Sequence, residues 1–483
     1  MGLRDYCAPA LLVALILGGI ACVATEGPPL PQLVVVIDTD LPIAGQITPM
    51  GLLSDDAAID SLSIEVLDSI LDSAKDGKAP PSINLVSPDV KDWPVSFGIK
   101  SGAAAGSILR LRIRAFRGRL AKPGTSNGVD TLEPPAQITV SRLVKVRLPT
   151  EGKTTVAITL QGDCIGIPPS ISAGTTCVDG DHLHAPAAEG VTVVADARAV
   201  TTKAGTWKPA IETQCAEAST DTRKCIPGGF TLLGDDALKG FADGIEFTVD
   251  PTPLRPVELL PFYLDRDEFT VGDLEGLLKS KPGAITEAMP DPYSPDPGSG
   301  FHFCTWKKGD DTLPLNCMSW QLALQVCALR GGSLPTEAQW EHAARGRGQH
   351  RDFPWASGEI SCCRASVARQ YLQGVKASCA GFGVQPVGTH VCEGGDVSRD
   401  RVRDLAGGLR ERVQGQLVPY DRPCWGPEGV LFEPLCDDDP STNTLVTRGG
   451  SWKRPYDFAL SALRGTDVLI DVSSNEIGFR CAY

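Results

Sequence analysis

Residues 334–346 read Leu-Pro-Thr-Glu-Ala-Gln-Trp-Glu-His-Ala-Ala-Arg-Gly, and this stretch has the clearest secondary-structure signal in the chain. Thr336, followed three residues later by Gln339, forms the capping-box pattern, in which two side chains satisfy free amides at a helix start. Because glycine is common just past a helix end, the pattern predicts a helix that runs to Arg345 and stops at Gly346.

A second helix is predicted upstream, roughly from Trp320 to Leu329, and it ends at Gly331-Gly332. Beyond Gly346, more than a hundred residues have almost no periodic pattern of apolar residues. A compact domain with so little regular structure must be stabilised by turns, buried tryptophans, disulfides or ions.

Cysteine usage indicates an oxidising compartment. The chain has 16 cysteines, but no Cys-x-x-Cys pair and no cysteine/histidine grouping of zinc-finger type. Disulfides therefore explain the cysteines better than metal binding does. Since disulfides persist in exported proteins and are rare in a reducing cytosol, we expect export.

The N-terminus agrees with export. Arg4 precedes the apolar run Ala8–Ile20, which is short for a membrane span and has the form of a signal peptide. Two processing routes are open: cleavage after Ala24, or lipidation of Cys22 as the first residue of a lipoprotein. Either route removes Cys7 and takes Cys22 out of disulfide pairing, which leaves fourteen cysteines for seven bridges. The expected location is secreted, periplasmic or lipid-anchored to the cell envelope.

Charge and composition narrow the range of partners. Lys+Arg is 45 and Asp+Glu is 59, which gives a formal net charge of −14. An acidic chain without a basic stripe repels phosphate backbones, so nucleic acid is not expected as a partner. The 51 glycines and 38 prolines favour a turn-rich, mainly β protein over a bundle of long helices.

The N-terminal half is predicted to be a β-sandwich of immunoglobulin-like kind. Its strand candidates are separated by turn signals and are Leu33–Ile37, Ser63–Leu67, Val95–Ile99, Ile108–Phe116, Ile138–Val140, Leu143–Leu148 and Thr155–Leu160. In one of these runs apolar residues alternate with Arg110, Arg112 and Arg114, so one face is buried and the other carries three guanidinium groups. The arginines either bind an acidic polysaccharide or lipid, or form a solvated outer face, and we expect the latter.

The predicted organisation is multi-domain, mainly β with an α+β part. It comprises a signal peptide at 1–24, the β-sandwich at 30–163, a cysteine-bounded linker at 164–224 and a C-terminal domain at 225–483. In the linker, His182 and His184 point the same way on an extended segment and, with Asp181, offer a metal site. The alternative is an exposed polar loop, which we expect because no third convergent ligand is evident.

Nine short motifs in the C-terminal domain occur in the order found in one known family. They are 226–234 (IPGGFTLLG), 261–270 (PFYLDRDEFT), 315–320 (LNCMSW), 334–346, 353–355 (FPW), 386–388 (PVG), 404–407 (DLAG), 448–452 (RGGSW) and 478–481 (GFRC). The domain resembles the sulfatase-modifying-factor family, whose founding members are formylglycine-generating enzymes. The resemblance covers about 225–483 and implies a loop-rich variant of the C-type-lectin fold. The N-terminal half lies outside it.

The resemblance implies a copper site whose ligands this sequence lacks. In formylglycine-generating enzymes, two cysteines after the Gly-Gly-Ser-aromatic motif bind copper(I) as thiolates and serve the oxidation of a substrate cysteine. Here Arg454 stands at the first position and Ala459 at the second, and no cysteine occurs between Cys436 and Cys481. Copper is therefore not expected.

A second departure concerns calcium. The family segment that helps bind a calcium ion corresponds to Gly407–Arg412, in which Glu411 is retained. Gly408 replaces an asparagine, and Arg410 and Arg412 replace two tryptophans, so two guanidinium groups would oppose the cation. Calcium bound through Glu411 is the remaining cofactor option, and no other cofactor is expected.

Two disulfides are expected where cysteines bracket short loops, namely Cys304–Cys317 and Cys424–Cys436. The adjacent Cys362 and Cys363 form either a redox switch or two separate bridges to partners such as Cys379 and Cys392, and we expect the bridges.

The expected function is that of an exported, non-catalytic module that binds a protein, peptide or glycan, since this fold presents variable loops on a rigid frame. Ser451, Trp452 and Arg454 are candidates for lining the groove, with packing as the other role for Ser451 and Trp452. One alternative is an oxidoreductase of the formylglycine-generating or non-haem-metal type, acting on a protein cysteine or small thiol with relocated cysteines. A second alternative is a structural envelope lipoprotein anchored in the membrane through Cys22.

Overall fold

The computed structural model describes residues 31–483 apart from 49–50, 54, 68–81, 88, 101–104, 127–128, 188–191, 242–247, 370–378, 391 and 468–472. The predicted signal peptide, with Cys7 and Cys22, lies outside these described residues. Within them the chain consists mainly of β-strands and loops, with three short α-helices. No helix in the described part of the chain has the length and hydropathy needed to cross a membrane.

The strands of the N-terminal half form from the β-branched runs of the sequence. With those of the linker they are β1 (Gln32–Thr39), β2 (Ile47–Thr48), β3 (Gly51–Leu52), β4 (Ser61–Val66), β5 (Ser82–Val86), β6 (Val95–Lys100), β7 (Ile108–Phe116), β8 (Lys122–Ser126), β9 (Val129–Glu133), β10 (Val140–Arg147), β11 (Lys153–Leu160), β12 (Thr175–Thr176), β13 (Ala185–Pro186) and β14 (Thr192–Val194). One predicted strand is wrong at Ile138, which lies in a 3-10 turn where its backbone amide donates to the carbonyl of Pro135 at 3.2 Å.

Two four-stranded sheets share one hydrophobic core. Their strand orders are β14-β11-β1-β6 and β10-β7-β4-β5. β1 runs parallel to β11, with Gln32 opposite Lys153, whereas β7 is antiparallel to both β4 and β10. Leu109, Leu111 and Ile113 of β7 are fully buried in this core. The alternation of apolar residues in the sequence therefore corresponds to a strand with one face buried in the core.

The arginine face of β7 is only partly solvated. Arg112 Nε donates to Glu65 on β4 at 2.9 Å, and Arg114 Nη2 donates to the same carboxylate at 2.6 Å. Arg114 also pairs with Glu133 at 3.0 Å and is itself buried. The prediction of a solvated outer face is therefore wrong for Arg112 and Arg114, because acidic residues of neighbouring strands cover these two guanidinium groups.

The C-terminal half contains the α-helices and the remaining strands. These are β15 (Arg223–Ile226), β16 (Gly229–Leu233), β17 (Thr248–Val249), β18 (Arg255–Leu259), β19 (Phe262–Asp265), α1 (Val271–Ser280), α2 (Trp320–Leu329), α3 (Glu337–Ala344), β20 (Arg410–Gln416), β21 (Leu431–Phe432), β22 (Leu445–Arg448), β23 (Arg464–Asp467) and β24 (Ile477–Gly478). The predicted capping box at α3 is present, with Thr336 and Gln339 each accepting the other's backbone amide. The main sheet has the order β17-β23-β22-β20-β24.

The two halves of the chain pack against each other. Phe230 and Leu232 of β16 and the nearby Leu254 belong to the hydrophobic core of the N-terminal sheets. The backbone amide of Leu232 donates to the buried Asp56 carboxylate at 3.3 Å. The first strands of the C-terminal half therefore form part of the N-terminal core.

Seven disulfides take up all fourteen described cysteines. The pairs are Cys164–Cys177, Cys215–Cys225, Cys304–Cys317, Cys327–Cys481, Cys362–Cys379, Cys363–Cys392 and Cys424–Cys436. The two pairs expected from short loops are among them, and Cys362 and Cys363 form separate bridges. The bridge between Cys327 and Cys481 spans 154 residues and ties α2 to the end of the chain.

Candidate functional site

The segment singled out from the sequence begins with a tight glycine turn after β22. Gly449 and Gly450 have φ of 96° and 74°, in the left-handed region that favours glycine. A Cβ on Gly450 would lie 2.8 Å from the carbonyl oxygen of Phe458, and one on Gly449 would lie 2.8 Å from that of Leu405. The glycine pair therefore allows the close approach that sets the position of Ser451.

Ser451, Lys453 and Arg454 contact the buried carboxylate of Glu476. Ser451 Oγ donates to Glu476 Oε2 at 2.9 Å, and Arg454 Nε donates to the same oxygen at 3.2 Å. Lys453 Nζ lies 3.3 Å from Glu476 Oε1. Burial alone would raise the pKa of Glu476, but the cations Arg410, Arg454 and Lys453 outweigh it and keep the pKa below its ordinary value. Together Glu476, Ser451, Lys453, Arg454 and Arg410 are called the Glu476 cluster.

The two positions that the resemblance assigns to the family's copper ligands have no metal-binding side chain. Arg454 is part of the Glu476 cluster, and Ala459 is fully buried in a small apolar cluster with Trp355 and Cys379. Cys379 is in a disulfide, as is every other cysteine in the described part of the chain. Copper(I) needs thiolate sulfur, so these residues do not fit the copper site of the family.

The three groove candidates have different environments. Ser451 and Trp452 are both 0 % exposed. The indole of Trp452 donates to the carbonyl of Asn475 at 3.0 Å, and its ring centroid lies 5.0 Å from that of Phe303. Arg454, by contrast, keeps 24 % of its side chain exposed. Of the three candidates, only Arg454 offers solvent-accessible surface, while Ser451 and Trp452 pack beneath it.

Glu411, the candidate calcium ligand, belongs to a buried ion pair. Arg480 Nε donates to Glu411 Oε2 at 2.7 Å, and Arg480 Nη2 donates to Oε1 at 2.5 Å. The indole of Trp340 donates to Oε2 at 2.8 Å. Both carboxylate oxygens therefore face donors, which does not fit a calcium ligand. Among the described residues there is no group of three His, Cys, Asp or Glu side chains that could bind a metal ion.

The arginine that pairs with Glu411 is neither of the two that were expected to oppose a calcium ion at this position. Arg412 Nη2 donates to the carbonyl of Met318 at 2.9 Å, and Arg410 acts on Glu476. Arg480, 69 residues away from Glu411, supplies the counter-charge instead. A contact over this separation leaves no local sequence pattern.

Two further carboxyl groups lie buried beside this ion pair. Asp404 accepts the backbone amide of Gly388 at 2.6 Å, and Glu268 accepts that of Leu409 at 2.8 Å. Burial raises the pKa of Asp404 to about 6. Burial, followed by the charges of Asp404 and Glu411, raises the pKa of Glu268 well above its ordinary value.

A second buried ionic network surrounds α3 and was not predicted. Glu337 accepts two hydrogen bonds from Arg464, at 2.7 and 2.9 Å, and one from Tyr420 Oη at 3.0 Å. Glu341 pairs with Arg448, whose side chain is fully buried. The one sequence feature that could have indicated this network is the spacing of the two glutamates, which lie four residues apart in the predicted helix. The network connects α3 with β22 and β23 in a region that has few regular elements.

The linker histidines do not meet a third ligand. His182 Nδ1 lies 2.7 Å from Asp179 Oδ1 on an exposed loop. No metal-binding group of three such side chains occurs in the part of the chain that the structure describes. The arrangement agrees with the exposed polar loop expected from the sequence.

The loop-rich, disulfide-bonded architecture of the C-terminal half and its ordered sequence motifs define the class of protein. The Sulfatase-modifying factor enzyme 1-like domain matches residues 208–483, and the chain belongs to this family. No family match covers the N-terminal half.

Several named proteins are similar to this chain. "Inactive C-alpha-formylglycine-generating enzyme 2" of Mus musculus is 26% identical over 297 residues, covering 53% of this chain and 84% of that protein. "Formylglycine-generating enzyme" of Mus musculus is 27% identical over 298 residues, 53% of this chain and 73% of that protein. The protein of the same name from Streptomyces coelicolor is 28% identical over 293 residues, 53% of this chain and 87% of that protein.

Among solved structures, PvdO from Pseudomonas aeruginosa is 21% identical and aligns with a TM-score of 0.40. The alignment covers 57% of this chain and 98% of that chain.

Proposed function

We propose that this chain is an exported, non-catalytic binding module of the cell envelope or extracellular space. The observation that carries the proposal is the chemistry of the two copper positions, where an ion-paired Arg454 and a buried Ala459 replace thiolates. The disulfide bonding of every described cysteine from Cys164 to Cys481 supports both the loss of copper oxidase chemistry and an oxidising compartment. The N-terminal sheets are proposed to be an immunoglobulin-like sandwich, and Cys22 a site of lipid anchoring.

The ligand is proposed to be an acidic protein, peptide or glycan that contacts the surface around Arg454. Arg454 and Lys453 expose 24 % and 35 % of their side chains, and both pair with the single carboxylate of Glu476. The aromatic side chain of Tyr456, two residues after Arg454 in the chain, is 42 % exposed. Exposed aromatic and cationic groups together are typical of binding surfaces.

The proposal is tested by binding and by chemistry in parallel. The full chain is applied to an array of acidic glycans and acidic peptides, beside the variant Lys453→Glu/Arg454→Glu. We expect binding that this variant loses and that the exposed control Lys153→Glu/Lys208→Glu retains. Unchanged binding in the first variant would place the ligand elsewhere.

The chemical arm measures copper(I) affinity and oxygen consumption with a cysteine-containing peptide. We expect no thiolate-type copper(I) binding and no oxidation of the peptide by the wild-type chain. The variant Arg454→Cys/Ala459→Cys restores two thiols at the family positions and is the matched positive control for copper(I) binding. Stoichiometric copper(I) binding with peptide oxidation by the wild-type chain would overturn the proposal.

A further inference from the structure

A groove of about 320 Å³ lies where the two halves of the chain meet. Ala136, Gln137 and Pro168 line it from the N-terminal half, and Pro253, Pro256 and Pro427 from the C-terminal half. The N-terminal residues are outside the segment that matches the family, so this groove is formed by the particular combination of the two halves. Four prolines give the walls a rigid and largely apolar character, which suits a pre-formed binding site.

Two carboxylates lie at the same groove. Asp421 and Glu428 are exposed lining residues, and neither has a salt-bridge partner among the residues that the structure describes. The guanidinium group of Arg255, also a lining residue, is buried and donates to the carbonyls of Tyr420 and Pro427, at 2.5 and 2.6 Å. Arg255 therefore donates its hydrogen bonds to backbone oxygens, while its positive charge also acts on Glu428 and Asp421. Two carboxylates against one guanidinium group leave the groove with a net negative charge.

We propose that this groove binds the side chain of a lysine or arginine presented by an extended polypeptide. The methylene stem of such a side chain packs on proline rings, and its charged end reaches the carboxylates of Asp421 and Glu428, as long basic side chains combine apolar and charged contacts. A neutral apolar side chain leaves the two carboxylates unpaired, and an acidic side chain is repelled by them. This site is separate from the surface around Arg454 and requires no ligand there.

The test uses the full chain and short blocked peptides. The probes are acetylated and amidated Ala-Ala-Lys-Ala-Ala and the matched peptides with norleucine or glutamate at the centre. Saturation-transfer NMR reports which peptide protons contact the protein, and titration gives the dissociation constant. We expect saturation of the lysine methylene protons, and binding of the norleucine and glutamate peptides weaker by about tenfold, the factor that two exposed ion pairs provide.

Three variants distinguish the groove from the general acidity of the chain. Asp421→Asn/Glu428→Gln is expected to weaken the lysine peptide by about tenfold. Asp437→Asn/Asp438→Asn removes the same charge from an exposed loop and is expected to leave binding unchanged. Ala136→Trp fills the groove without changing charge and is expected to abolish the saturation signal.

Three results would overturn the inference. Equal affinity for the lysine and norleucine peptides would show that the carboxylates do not recognise the charge. Equal weakening by the two acidic double variants would show that the peptide responds to the net charge of the chain, and full binding by Ala136→Trp would show that the peptide binds outside the groove. Each of these results leaves the proposal for the Arg454 surface untouched, because none of these substitutions lies in that surface.

Discussion

The variant Glu411→Gln tests whether this residue is an ion-pair partner or a calcium ligand. In the wild-type structure the carboxylate accepts two hydrogen bonds from Arg480 and one from the indole of Trp340, and both Glu411 and Arg480 are at most 1 % exposed. Glutamine removes the negative charge, and its amide N–H group faces donors. Removing one partner of a buried ion pair costs about 3–5 kcal/mol, so we expect that loss in the free energy of unfolding.

The assay is denaturant unfolding with disulfides intact, followed by tryptophan fluorescence, in the presence of either calcium or a chelator. The control Glu287→Gln changes an exposed glutamate and is expected to alter stability by less than about 0.5 kcal/mol. We expect the wild-type midpoint to be the same in calcium and in chelator. The reasoning is refuted if chelator destabilises the wild-type chain while Glu411→Gln is insensitive to chelator, since Glu411 would then be a calcium ligand.

Three further perturbations have expected outcomes. Burial lowers the pKa of His342 from 6.5 to about 4, so the unfolded chain takes up a proton that the folded chain does not as pH falls through this window. Relative to His342→Gln, the wild-type chain should therefore lose about 3 kcal/mol of stability between pH 7 and pH 4 in urea titrations. Gly450→Ala should lower stability by about 2 kcal/mol or more, because its φ is 74° and a Cβ would lie 2.8 Å from the Phe458 carbonyl oxygen. Cys327→Ser/Cys481→Ser opens a loop with a sequence separation of 154, and chain entropy predicts a loss of about 5 kcal/mol.

Each of these three predictions can be contradicted by a specific result or checked against a control variant. A constant stability difference between the wild-type chain and His342→Gln across the pH range would mean that His342 titrates normally in the fold. Gly276→Ala is the control for the glycine variant, since Gly276 lies in α1 with no atom within 4 Å of a new Cβ, and it should be neutral or stabilising. A cysteine double variant as stable as the wild-type chain would contradict the constraint attributed to the Cys327–Cys481 bridge.

Features encoded within a few residues could be predicted from the sequence. The capping box of Thr336 and Gln339 starts α3 as expected, and α2 has the bounds Trp320–Leu329 that were predicted. The bridges Cys304–Cys317 and Cys424–Cys436 join cysteines 13 and 12 residues apart, and such spacings are visible in a sequence. Local patterns suffice here because the interacting groups are close in the chain.

Features that depend on distant residues could not be predicted. Arg480 neutralises Glu411 across 69 residues, and Glu476 meets Ser451 across 25 residues in a loop-rich region with no periodic pattern. The sequence instead placed Arg410 beside the calcium position, because neighbours in the chain were the only available guide. Burial of Trp452 was likewise open, since an aromatic residue after a glycine turn suits both a groove and a core.

The central claim, that no thiolate pair remains for copper chemistry, is tested most directly by counting free thiols. The mature protein is denatured without reduction, alkylated, and measured by intact mass and peptide mapping. The account predicts no alkylated cysteine between Cys164 and Cys481, because the seven disulfides occupy all fourteen. Two alkylated cysteines that map close together in the fold would contradict it and would support an oxidoreductase.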